Sequence, residues 1–159
     1  MRDNDWSESH NWDYWNKNFT TAVGMNNDAT VKTIYDPSIS GFTLPKTAAF
    51  TGFTQNGENT VTYDLFNVSG NFIKGWSFYI EGWKIGETIL CPALGIRDTD
   101  SGRSTGIGAI AFVFERGCIW LSGANSVPYS RYLYTDPGNI YPQYWGYRSY
   151  GCTVFPDLE

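Results

Sequence analysis

The chain has 159 residues, 18% of them aromatic and only 17% charged, with a formal net charge of −5 and no cluster of lysine or arginine. A chain of that length suits one domain with its own core. Its acidic balance leaves no electrostatic footprint for a phosphate backbone or an anionic membrane, so no nucleic acid is expected among its partners. Nothing runs 18 apolar residues without a charge, so no membrane insertion by this segment is expected. The start, "MRDNDWSESHNWDYW", has neither the basic lead nor the apolar middle of a signal peptide, which says little about the compartment of a chain cut from a longer exported protein.

Residues 1–30 form a polar, asparagine-rich segment in which the spacing of Trp12, Trp15 and Phe19 predicts a short helix. In "KTIYDPSISGFTLPKTAAFTGF" we expect a strand through Ile34 and Tyr35, a turn at Asp36-Pro37 and a strand from Gly41 to Leu44. A helix carrying Ala48, Ala49, Phe50 and Phe53 should then open near Pro45. The "QNGEN" of residues 55–59 stops it. From Val61 onward, short runs of β-formers alternate with turn residues, as in "GWSFYIEGWKIGETILCPALGIR" and "AIAFVFERGCIWLSG", which predicts a compact antiparallel sheet. Pattern alone therefore gives an α+β class.

Most motifs for chemistry dissolve on inspection. "GIGAIA" at 106–111 fits G-x-G-x-x-A but is followed by the β-rich "FVFERG" where a dinucleotide site needs a helix. "DTDSGR" at 98–103 starts like a calcium loop and lacks the later glutamate, so it reads as a turn. His10 is the only histidine and sits in the polar start, which removes Ser-His-Asp relays and multi-histidine metal sites. Cys91, Cys118 and Cys152 lack metal-ligand spacing and read as reduced, mostly buried thiols, the alternative being one pair and one free thiol. No metal and no cofactor is expected.

The aromatic last third is what remains. In "SRYLYTDPGNIYPQ" alternation puts Leu133 on one face and Tyr132 and Tyr134 on the other, so a buried Leu133 turns both tyrosines outward. With Ile140 inward, Tyr141 is outward, and Tyr144, Trp145 and Tyr147 fall on the glycine-interrupted stretch that follows. Tyrosine offers rigid contact area with a hydroxyl at its end, which suits a binding surface. The competing reading is that these rings tile a small core.

Three stretches also carry a family resemblance. "KTIYDPSISGFTLP" is similar to the K-T-I-Y-D-P-x-P-x-G-[FW]-x-[VL]-P segment of surface and pilus-associated proteins of gut Bacteroidetes. "PALGIRD" with "GCIWLSG", and the ending "YLYTDPGNIYPQYWGYRSYGCTVFPDLE", resemble the corresponding segments of the Fibrobacter-type major paralogous domain, from about Lys32 to the C-terminus. Ser38, Cys152 and Phe155 depart from that pattern, which usually has cysteine, phenylalanine and arginine there.

The resemblance implies a C-type-lectin-like fold, with one or two short helices early and a mostly antiparallel sheet with long loops. It implies a variable protein of the diversity-generating-retroelement type, in which scattered positions near the C-terminus change ligand specificity. Arg148, Ser149, Tyr150 and Gly151 would belong to the frame. The changeable, outward ligand-binding positions would be Ile96, Asp98, Cys118, Tyr129, Tyr132, Tyr134, Tyr141, Tyr144, Trp145 and Tyr147. The Glu-Pro-Asn, Gln-Pro-Asp and Trp-Asn-Asp motifs of calcium-dependent sugar binding are absent, so that activity is not carried over.

The expectation is thus a polar segment at 1–30 followed by a ligand-binding domain at 31–159 without enzymatic activity. It would be the head of a bacterial or phage surface adhesin, cell-surface or extracellular, meeting a protein or carbohydrate receptor or other subunits of a surface assembly. The alternatives are a glycan-active hydrolase with a carboxylate pair in a cleft, at roughly 5 to 9.5 Å, and a structural pilus subunit.

Overall fold

The computed structural model describes residues 13–18, 29–97, 108–126 and 129–158. Its centre is a three-stranded antiparallel sheet in the order β7-β8-β9, formed by Gly117–Ser126, Tyr129–Asp136 and Asn139–Tyr147. A second antiparallel sheet, β2-β3-β4, comprises Val68–Ser69, Gly75–Tyr79 and Thr88–Pro92. Two small pairs complete the architecture: β1 (Phe42–Thr43) with β10 (Asp157–Leu158), and β5 (Ile96–Arg97) with β6 (Ile110–Ala111).

The central sheet is covered on both faces. On one side Ile119, Leu133 and Ile140 pack with Phe66, Trp76 and Phe78 into an aliphatic and aromatic core. Phe53 stacks on Phe78 at 3.7 Å, and the Trp76 indole N–H donates to the Asp136 carbonyl at 2.8 Å, which ties β3 to the turn after β8. On the other side Cys118, Trp120 and Tyr132 pack with Trp15, Leu44 and Ile96. Burial of side chains this large stabilises by about 2 kcal/mol each.

This architecture overturns the α+β, C-type-lectin-like expectation: nearly all the regular structure is β, and the described residues contain no α-helix, only 3-10 turns at Thr51–Phe53 and Tyr63–Leu65. The helix expected after Pro45 is a series of turns ending in the first of these. The stretch is too short to hold an α-helix unaided, and Gly52 lowers its propensity further. A 3-10 turn places Phe50 and Phe53 together just as well, because its period is three residues. Of the early helix, Trp12 and Phe19 lie outside the described residues, while Trp15 sits in a bend against Trp120, with ring centroids 5.0 Å apart.

Ile34 and Tyr35 do not form a strand either: they lie in a turn, and Ile34 is 91% exposed. Polar groups shape that loop in place of apolar burial. The Lys32 ammonium donates to the carbonyls of Ser38, Ile39 and Phe42, and the buried Asp36 carboxylate accepts from the N–H groups of Ser38 and Leu44. In "GIGAIA" the described part is a turn at Gly108 leading into β6, and turns follow it.

Candidate functional site

The site begins with a phase shift in β9. On β8, Tyr132 and Tyr134 are two residues apart, yet their partners Tyr144 and Tyr141 on β9 are three apart. Residues three apart on a regular strand point to opposite faces, so the extra residue at Pro142-Gln143 is a bulge that brings Tyr141 and Tyr144 onto one face with Tyr132 and Tyr134. Proline fits there because it has no N–H for the ladder. Gln143 pins the bulge: its side-chain N–H donates to the Thr47 carbonyl at 3.2 Å, its backbone N–H donates to Asn59 Oδ1 at 3.3 Å, and its carbonyl accepts from Arg131 Nη1 at 2.9 Å.

Three of the rings make a platform. Tyr134 and Tyr141 stack at 5.7 Å and 25°, Tyr141 and Tyr144 lie 5.0 Å apart at 34°, and Tyr134 and Tyr144 lie 5.6 Å apart at 46°. Tyr132 meets Tyr144 edge-on behind them. Gly146 makes room for this packing, since a Cβ there would come within 2.7 Å of the Tyr132 ring and 3.1 Å of Tyr150. Above the platform opens a cleft of about 430 Å³, whose lining also includes Ile96, Phe112, Arg116, Asp136, Asn139 and Tyr150.

The polar wall comes from the "DPGN" turn joining β8 to β9. Asp136 accepts from the Gly138 N–H at 2.8 Å, from the Asn139 amide at 2.7 and 2.8 Å, and from the Tyr134 hydroxyl at 2.8 Å. The Tyr141 hydroxyl donates to Asn139 Oδ1 at 2.7 Å. Burial, then the bond to Asp136, holds the Tyr134 phenol well above the usual tyrosine range; burial raises Tyr141 and Tyr132 likewise. All three are neutral near pH 7. Opposite the turn, the Arg116 guanidinium lies 3.7 Å over the Phe112 ring and 5.9 Å from that of Tyr134.

The ten sequence-expected positions separate into groups. Ile96, Tyr132, Tyr134, Tyr141 and Tyr144 line the cleft together. Tyr129, Trp145 and Tyr147 form a second aromatic cluster at the far end of the hairpin, with Tyr129 4.9 Å from Trp145 and 4.8 Å from Tyr147. A hydrogen bond with Tyr147 raises the Tyr129 phenol. Asp98 lies outside the described residues.

Three expectations of outward exposure are corrected. Ile96, Cys118 and Tyr132 are buried, because Trp15, Leu44 and the segment around Cys152 cover the face that alternation alone leaves open. Cys118 is in no position to meet a ligand. Among the nine described positions only Trp145, at 46%, is strongly exposed, and its ring lies 6.0 Å from that of its neighbour Tyr144 at 21°.

Sequence reasoning missed Phe112, Arg116, Asp136 and Asn139. The turn "TDPGN" carried a readable signal for the last two, because Asp and Asn flanking Pro-Gly bond back onto their own turn. Arg116 had none, its position depending on the turn at 112–115.

Among the described residues no three or more His, Cys, Asp or Glu side chains gather as a metal site, and no helix is long and apolar enough to cross a membrane. No family model matches the chain, and no curated protein or solved structure matches it.

Proposed function

We propose that this chain is a non-enzymatic ligand-binding domain whose ligand enters the tyrosine cleft of β8 and β9. The observation that carries this reading is the bulge at Pro142-Gln143, which sets Tyr132, Tyr134, Tyr141 and Tyr144 on one face beside an open cleft. Small-molecule sites are concave, mostly preformed and furnished with a few placed polar groups, and this cleft has that composition. Five of the ten positions that the family resemblance marks as changeable line it, which supports the reading further. The same resemblance supports placing the domain at the head of a bacterial or phage surface protein.

The test is a screen of the purified chain on a carbohydrate array and against a displayed peptide library, alongside Tyr134→Ala, Tyr144→Ala and Trp145→Ala variants. A binder lost with Tyr134→Ala and Tyr144→Ala but kept with Trp145→Ala supports the cleft. Binding that depends on Trp145 alone, or is indifferent to all three, contradicts it.

A further inference from the structure

Resting on the cleft as the binding site, we infer that its ligand is a sugar ring bearing a carboxylate, the ring lying on Tyr134, Tyr141 and Tyr144 and the carboxylate meeting Arg116. The first observation is the ring geometry. A group held between two rings needs about 7 to 8 Å, twice the contact distance of 3.5–4.0 Å, and the three centroids lie only 5.0 to 5.7 Å apart. The rings therefore offer a surface to lie on. They do not enclose a cage for an ammonium group, the usual aromatic device for cations.

The second observation is Arg116. Its guanidinium rests on the Phe112 ring, and among the described residues no carboxylate or other acceptor takes its N–H groups. A guanidinium carries five donors in a fork that fits a carboxylate in two-point fashion. Its fixed positive charge attracts an anion that reaches these donors. Asp136, the one carboxylate among the described lining residues, is already surrounded by donors from its own turn and from Tyr134.

The third observation selects a sugar over an aromatic acid. The Tyr134 and Tyr141 hydroxyls spend their protons on Asp136 and Asn139, so what they turn to the cleft is lone pairs. Their partner must bring donors of its own. Among the described lining residues Ile96 is the only aliphatic side chain, which leaves an alkyl chain little to pack on. A pyranose ring with a carboxylate meets all three demands: a C–H face for the rings, hydroxyl donors for the phenol oxygens, and an anion for Arg116.

The experiment titrates the chain with glucuronate, with glucose, which has the same ring and no carboxylate, and with benzoate, which has a carboxylate and no hydroxyls. The tyrosine ring signals are followed by NMR. Glucuronate should shift Tyr134, Tyr141 and Tyr144 and saturate near about 10 mM or below, with glucose and benzoate at least about tenfold weaker. Arg116→Gln should bring glucuronate down to the level of glucose.

Glucose or benzoate binding as well as glucuronate, or Arg116→Gln without effect, overturns the acidic sugar. If the shifts still fall on the cleft tyrosines, the cleft itself stands as the site. Shifts confined to Tyr129 and Tyr147, or to neither cluster, sink the inference and the cleft together.

Discussion

Leu133 and Tyr134 are neighbours on one strand, and they face two different chemistries. Leu133 is fully buried among Trp76, Phe78 and Ile140, on a face closed by the second sheet. Tyr134 is half-buried on the opposite face, where cover from Trp15, Leu44 and the C-terminal segment gives way to the cleft. Strand alternation decides which face a residue joins; what packs over that face decides whether it becomes core or site. The aliphatic face should govern stability, and the aromatic face should govern binding at smaller cost to the fold.

High pH strikes both faces at once, since each holds acids kept neutral by burial. Burial, and next the neighbouring Cys118, pushes the Cys91 thiol up to about 12 from an ordinary 9.0, and Tyr132 and Tyr134 are raised as well. In the unfolded chain these groups ionise first, near 9 for the thiol and 10 for the phenols. The stability they contribute is therefore complete below pH 9 and is lost progressively as pH climbs toward 12. Denaturant midpoints followed from neutral pH upward should hold level and then fall; a rise in that window would contradict the burial.

Single substitutions should then separate the faces. Leu133→Ala should destabilise by about 3 kcal/mol, a cavity in a filled core. Gly146→Ala should cost about 2 kcal/mol, because its new methyl meets Tyr132 and Tyr150, and it should weaken ligand binding in the same step. Gln143→Ala removes the side-chain bond to Thr47 and should cost about 1 kcal/mol. It should also broaden the Tyr141 and Tyr144 ring signals as the bulge loosens. Trp145→Ala should shift stability by no more than about 0.5 kcal/mol. Thermal and denaturant melts check all four, and a Trp145 variant as damaged as the Leu133 variant would erase the distinction drawn here.

Much of the aliphatic face was legible in the sequence. Alternation around Leu133 and Ile140 placed both inward, where they lie. The same rule read Tyr132 as exposed because it assigns faces without knowing their cover, and Trp15, more than a hundred residues away in the chain, is part of that cover. Alternation cannot be carried across Pro142, since the bulge changes the phase by one residue, and the proline was the readable signal of that interruption. The helix expected after Pro45 failed for a related reason, because Phe50 and Phe53 at three-residue spacing fit a 3-10 turn as readily as an α-helix.

The shared face of Tyr134, Tyr141 and Tyr144 is the central claim, and nuclear Overhauser contacts between selectively labelled tyrosine rings test it most directly. Cross-peaks from Tyr141 to both Tyr134 and Tyr144 are predicted, with none from Tyr141 to the Leu133 methyls. Contacts from Tyr141 to Leu133, with those to Tyr144 missing, would mean that β9 runs without the bulge and that the cleft does not exist.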